Sequence, residues 1–316
     1  MNDRSDPSPR GSVPPPSSIS EQARQLLAGA LFVDPGFPET DDPATWRRHV
    51  AAQNAMFAVF FDGVDQIDGL AAHQEHIAGV PVYGSTPQGA DSARVVFDIH
   101  GGAFFYMGGA MVAGNAAFTA LRTGFTVLAP DYRMPPDHPY PAGLDDCVAV
   151  YQALVERFGA ANIVVSGTSA GGNLAAAAIL RARDEGLPLP AGLVLLTPEV
   201  DLTESGDSFR TLLGLDRLGL LKRLNLLYAA GHPLEHPYLS PLFGDYNKGF
   251  PRTFLQTGTR DLFLSNTVRM HRALCNAGVE AELHVWEAMP HGGFGGTPED
   301  EDLAAAFRRF VLSCFG

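Results

Sequence analysis

The sequence predicts an α/β protein with a mostly parallel central sheet flanked by helices. Three observations predict it. From residue 94 onward, short runs rich in Val, Ile, Leu and Phe alternate with longer helical stretches, the pattern of repeated βαβ units. Most of those runs are continuously apolar rather than alternating, as strands buried on both faces require. The pentapeptide Gly167-Thr168-Ser169-Ala170-Gly171 also stands between a β-branched run and an Ala/Leu-rich one. That is the carboxyl end of a strand, where open α/β sheets carry their chemistry.

Bulk properties narrow the function classes. A chain of 316 residues, 46% hydrophobic and 18% charged, is globular and builds either one large α/β domain or two modest ones. A net charge of −13 disfavours nucleic acid and anionic membrane surfaces as partners, and no Lys/Arg cluster offsets it. The three cysteines, Cys147, Cys275 and Cys314, form neither a disulfide framework nor a C-x-x-C site, which points to a reducing, cytoplasmic setting. Residues 1–18, rich in Ser and Pro, lack the apolar stretch of a signal peptide and read as a disordered tail. No run approaches the roughly 20 apolar residues of a membrane span.

The elements follow in order. Ser20 is placed to cap a short helix over Glu21–Leu27. A second helical stretch runs from Pro43-Ala44 to Phe61, with Trp46, Val50, Phe57 and Phe61 recurring at helical spacing and Met56 and Phe60 widening the apolar face. The segment His76–Tyr83 suggests an early hairpin. Strands are predicted over Arg94–His100, Phe125–Ala129, Asn162–Ser166, Gly192–Leu196, Thr253–Thr257 and Ala281–Trp286, with helices over Gly143–Arg157, Asn173–Asp184, Asn266–Asn276 and Glu301–Leu312 among the connections. Asp98, inside the first central strand, is a carboxylate that burial would penalise unless it were paired, and the sequence does not name its partner.

The G-x-S-x-G letters alone arise by chance in about one chain in five at ordinary residue frequencies, so the context carries the argument. A serine hydroxyl is a weak nucleophile unless a tight turn holds it beside a base, and a strand that reverses into a helix does so for Ser169. Acyl transfer also needs donors for an oxyanion. The strand ending at His100 runs into Gly101-Gly102, whose N–H groups suit that role together with the N–H of Ala170. Of the ten histidines, His73/His76 and His232/His236 have helix-like spacing but no third ligand nearby, so no metal is expected. His138 sits in a proline-rich loop. His291, just beyond the last strand, is the candidate base. Two carboxylates suit its orienting partner: Asp261, which would also suit a helix N-cap, and Glu199. Phe104, Phe105, Tyr106 and Phe294 flank these positions and suit a substrate pocket as well as they suit the core.

Four matches give the chain a resemblance to the hormone-sensitive-lipase-like group of α/β-hydrolases, in the bacterial branch whose elbow reads GTSAGG. They are His100-Gly101-Gly102-Ala103, the stretch Asp131–Ala142 (DYRMPPDHPYPA), Gly167–Gly172, and the pair Asp261 and His291. The resemblance implies the α/β-hydrolase fold over residues 63–316, with a helical cap made from 19–62 and an insertion near 203–238. Trp46, Phe57 and Phe61 would then help cover the serine. It implies that the 131–141 segment is structural, with Tyr132 and Arg133 bracing the floor of the site. It implies a serine esterase acting on a small ester or lactone through Ser169, His291 and Asp261, without cofactor. A non-catalytic binding protein on this fold is the alternative, against which the presence of His291 counts; an amidase or acyltransferase would use the same residues. Two departures stand out: Ala103, where the commoner motif has a third glycine, and Glu199, a carboxylate close to the expected site. The oligomeric state, a homodimer included, stays open.

Overall fold

The computed structural model describes residues 13–29, 36–61, 63–64 and 67–316. The part of the expected tail over 1–12 lies outside the described residues. From 13 onward the chain is already attached: the Pro14 carbonyl accepts from Arg260 at 2.8 Å, and Ile19 is buried.

Helix α1 (Glu21–Ala28) is capped by Ser20, whose hydroxyl accepts from the Ala23 N–H. Helix α2 (Pro43–Ala58) begins with Asp42 accepting from Thr45 and Pro at its first turn, then tightens into a 3-10 turn, Val59–Phe61. The two helices dock separately. Ile19 and Ala23 pack with Ala288, Met289 and Phe294, and Ser20 also donates to Glu299. Helix α2 buries Trp46 and lays Val50 and Phe57 against the main core. The broad apolar face expected of this stretch is narrower in fact, because Met56 in α2 and Phe60 in the turn that follows are 48% and 72% exposed.

Strands β1 (Leu70–Ile77) and β2 (Val80–Pro87) form the early hairpin around a two-residue turn. There follow β3 (Val95–Ile99), α3 (Ala110–Thr123), β4 (Thr126–Pro130), α4 (Ala142–Phe158), β5 (Ile163–Thr168), α5 (Ala170–Asp184), β6 (Gly192–Leu196), α6 (Ser208–Thr211), α7 (Lys222–Ala229), β7 (Thr253–Gly258), α8 (Leu264–Asn276), β8 (Ala281–Trp286) and α9 (Pro298–Cys314). Among the described residues the sheet has eight strands in the order β1-β2-β4-β3-β5-β6-β7-β8. The hairpin and the β2–β4 pair are antiparallel, and every pair from β4 to β8 is parallel. The continuous apolar runs of β3 and β6 are buried at every position, as two covered faces demand. Asp98, in β3, finds hydrogen-bond donors that are remote in sequence. It accepts from Ser166 of β5 and from Asn115 and Thr119 of α3, the last two at 2.8 and 2.9 Å, and burial raises its pKa.

Strand β5 lies at the middle of the sheet and α5 leaves its carboxyl end almost wholly buried. The alanines of α5 let it settle on the sheet, and its first glycines let it turn there. A Cβ on Gly171 would come within 2.0 Å of the Ile99 carbonyl oxygen, and one on Gly167 within 2.2 Å of the Gly171 oxygen. This is why the two glycines flank Ser169.

Candidate active site

Ser169 joins β5 to α5 with φ 58 and ψ −123, a conformation that costs an L-residue on the order of 1–3 kcal/mol and persists only where surroundings hold it. Here its N–H donates to the Leu196 carbonyl at 2.9 Å, and its own carbonyl accepts from Glu199 N at 3.1 Å and Asn173 N at 3.2 Å. The side chain is thereby turned out of the strand-to-helix corner. His291 Nε2 lies 3.0 Å from Ser169 Oγ, and His291 Nδ1 lies 3.1 Å from Asp261 Oδ1. A carboxylate only accepts, so the imidazole proton is assigned to Nδ1 and Nε2 is left as the acceptor facing the serine.

Asp261 is fully buried. Thr257 Oγ1 donates to its Oδ2 at 2.7 Å and the Phe263 N–H to its Oδ1 at 2.9 Å. Asp261 is not the N-cap of α8, which is Phe263; it forms a local turn with the Phe263 N–H, and the same oxygen meets the imidazole. Phe263 sets its ring edge-on to His291 with centroids 4.8 Å apart. Burial pushes the imidazole pKa down, but the bond to Asp261, its charge and the nearby carboxyls of Asp216 and Glu199 outweigh it, and the net direction is upward from 6.5.

The Gly101 backbone lies directly against the serine: a Cβ there would come within 2.8 Å of the Thr168 carbonyl and 3.3 Å of Ser169 Cβ, while one on Gly102 would meet the Tyr106 carbonyl. Ala170 opens α5, so its N–H has no partner within the helix, at the end where the helix dipole is positive. Behind this loop His100 is fully buried and stacked on Tyr132 at 4.3 Å. Burial lowers its pKa to about 4, which keeps it neutral. Tyr132 donates to the His100 carbonyl at 3.0 Å. Arg133 instead grips Asp146 of α4, with Nη2 to Oδ1 at 2.8 Å. Of the two expected braces, Tyr132 therefore touches the site's floor directly and Arg133 acts one layer back.

The candidate pocket residues separate. Phe104 stacks on Tyr228 of α7 with centroids 4.0 Å apart. Phe105 packs on Trp46 at 5.4 Å, and the Tyr106 hydroxyl lies 3.0 Å from His49 Nε2. The loop from 104 to 107 is thus covered by α2 and α7, with Asn54 Oδ1 accepting from Met107 N at 2.9 Å. The two covering segments are joined, since Arg223 donates to the Pro38 carbonyl at 2.6 Å, pairs with Asp41 and lies over the Trp46 ring. Phe294 takes the core role of the two its position suited: it packs with Ile19, Ala23 and Met289 against helix α1.

Glu199 does not compete with Asp261 for His291. It is 1% exposed, and neither carboxylate oxygen has a hydrogen-bond partner. Burial raises its pKa to about 8; the Asn225 amide nearby lowers it, though not from within bonding geometry, Glu204 raises it and His291 lowers it. At neutral pH it is an uncharged acid beside Ser169. Sequence reasoning missed Asp216, Asn225 and Tyr228 altogether. They sit in the 203–238 segment, whose local sequence carries no signature; only the fold brings them to the site. Among the described residues no three His, Cys, Asp or Glu side chains gather as a metal site, and no helix is long and apolar enough to cross a membrane.

Comparison with known proteins shows the family and the fold. A family described by its alpha/beta hydrolase fold matches residues 96–294. An esterase of Acinetobacter venetianus is 35% identical over 211 residues, covering 63% of this chain and 67% of that protein. An acetyl-hydrolase of Streptomyces hygroscopicus is 34% identical over 204 residues, with 63% and 67% covered. The crystal structure of an esterase called E25 superposes with a TM-score of 0.89 at 34% identity, covering 96% of this chain and 97% of its own. That of an esterase from the bacterial hormone-sensitive lipase family gives 0.79 at 27% identity, over 95% and 100%.

Proposed function

The chain belongs to the alpha/beta hydrolase fold family, in its hormone-sensitive-lipase-like branch, and on that premise we propose that it is a serine carboxylic-ester hydrolase working through an acyl-enzyme. The observation that carries the proposal is the contact chain from Ser169 Oγ through His291 to Asp261, at 3.0 and 3.1 Å. Ser169 Oγ attacks the ester carbonyl while His291 Nε2 takes its proton. The imidazolium, held by Asp261, then gives that proton to the leaving alcohol. Water deprotonated by the same nitrogen attacks the acyl-enzyme, and Ser169 leaves with the proton returned to it. The tetrahedral oxyanion is received by the N–H groups of Gly101, Gly102 and Ala170.

The substrate class we infer is a short- to medium-chain ester or a lactone. Phe104, Phe105 and Tyr106 are each at most 6% exposed and are overlain by α2 and α7, so space beside the Gly101-Gly102 backbone is narrow. In this reading α2 and the 203–238 segment form the cap over the catalytic domain. The test is a panel of p-nitrophenyl esters of graded chain length, with lactones and an anilide alongside, run on the wild type and on Ser169→Ala. We expect turnover greatest on acetate to hexanoate esters, a loss of several orders of magnitude in a folded Ser169→Ala protein, and labelling of Ser169 by a phosphonate. Labelling at another serine, or near-native turnover in the variant, would overturn the mechanism. Preference for emulsified long-chain lipid would overturn the substrate class alone.

A further inference from the structure

The segment between α6 and α7 lies far in sequence from both Asp261 and His291, yet one of its side chains reaches both. Asp216 is 5% exposed. Its Oδ2 accepts from the Leu262 N–H at 2.6 Å, and its Oδ1 accepts from the His291 N–H at 3.0 Å and from the Arg217 N–H at 2.6 Å. One carboxylate therefore ties together the backbone of the base and the backbone next to the acid. Elsewhere those two loops meet farther back, through Thr259 and Arg260 against Trp286, Ala288 and Met289. Near the imidazole the join is made by Asp216.

We propose that Asp216 is a positioning residue for the ester-hydrolysis reaction, by which the cap insertion sets the distance between His291 and Asp261 and supplies a second negative charge behind the imidazole. This rests on the serine-esterase reading above. Two physical effects follow from the geometry. The first is positional: a drift of about 1 Å between catalytic groups can cost about 10²-fold in rate; the far end of the loop after β8 is tied by Asp300, which accepts from the N–H groups of Phe294, Gly295, Gly296 and Thr297, whereas at His291 it is Asp216 that holds the backbone N–H. The second is electrostatic. The acidic groups acting on His291 are Asp261, Asp216 and Glu199. Glu199 is an uncharged acid at neutral pH, so the standing negative charges are Asp261 and Asp216. Asp216 itself has Asp261 and His291 as charged neighbours, with Arg217 next to it in the chain. Burial and then Asp261 raise its pKa to about 6, while the His291 charge and the N–H groups of Leu262 and His291 lower it. Above that pH it is a carboxylate that both accepts the N–H bonds and favours the imidazolium formed in the transition state.

The test separates position from charge and separates this inference from the one it rests on. Wild type, Asp216→Asn, Asp216→Glu and Ser169→Ala are compared for kcat and KM on p-nitrophenyl butyrate from pH 5 to 9. The His291 pKa is read by NMR in the Ser169→Ala background with and without each Asp216 change. Asp216→Asn keeps the shape but loses the charge and turns a donor toward an N–H group. We expect kcat to fall about 10–100-fold with KM changed less than about threefold, and both the acid limb of kcat/KM and the His291 pKa to move down. Asp216→Glu keeps the charge and displaces it, so kcat should fall while the acid limb stays; it also serves if the asparagine variant does not fold. A folded Asp216→Asn protein with wild-type kcat and an unmoved His291 pKa would overturn the proposal. If instead the wild type itself hydrolyses no ester, or Ser169→Ala retains activity, it is the serine-esterase reading that has failed.

Discussion

Replacing Glu199 with glutamine should make the protein more stable, and increasingly so as pH rises. The carboxyl is 1% exposed with both oxygens unpartnered, and burial moves its pKa from 4.5 to about 8. Between those values the folded protein holds a proton that the unfolded chain has released. The unfolded state then binds fewer protons, so stability falls with rising pH across this window. The contribution is fully present below about pH 4.5 and lost by about pH 8. At about 1.4 kcal/mol per pH unit the loss is on the order of 3 kcal/mol at pH 7 and 5 kcal/mol at pH 9. Glutamine does not titrate, so Glu199→Gln escapes it. The assay is urea unfolding of both proteins at half-unit intervals from pH 4.5 to 9, comparing the pH slope rather than the absolute value. The constant offset from exchanging a hydroxyl for an amide then drops out. Parallel stability profiles would refute the reasoning, because they would mean that Glu199 ionises in the folded protein as it does in the unfolded one. Since the acid is already uncharged near pH 7, the same variant should keep most of its esterase turnover there.

Asp261→Asn should cost roughly 10³–10⁴ in turnover, by analogy with other Ser-His-Asp systems, and should move the acid limb of kcat/KM down, because the bond and charge of Asp261 are the main terms raising the His291 pKa; a smaller loss than that of Glu199→Gln would exchange their roles. Trp46→Ala should destabilise by about 3–5 kcal/mol, read by thermal or urea unfolding, because the ring is 1% exposed against Phe105 and its Nε1 donates to the Thr40 carbonyl at 2.8 Å. The same change should loosen α2 over the 104–107 loop and relax chain-length preference on the ester panel; unchanged stability and selectivity would mean that α2 neither packs nor caps.

Short-range rules were enough for much of this molecule. Largely apolar runs placed β3 to β7 within about two residues at each end, because strands buried on both faces leave little room for polar residues; β8, at the sheet edge with no fully buried position, was placed without that reason. The elbow was legible for a similar local reason: the glycines at 167 and 171 are demanded by backbone approaches of 2.2 and 2.0 Å, and that demand is written in the letters around Ser169. The strand order brought Asp261 and His291 to the same end of the sheet, so their candidacy could be argued before any distance was known. The choice between Asp261 and Glu199 could not. Both follow strands and both precede His291, and what separates them is that one carboxylate meets the imidazole while the other is buried without a partner. Phe294 and Phe104 likewise look alike as aromatic neighbours of motif residues, yet one packs α1 and the other stacks on α7. Asp98 found its partners in α3 and β5, and Asp216 reached two loops from 46 and 75 residues away. Periodicity and motif spacing report what lies within a turn or a strand of a residue. They are silent on which remote side chain fills the last hydrogen bond of a buried carboxylate, and that depends on how the finished elements pack.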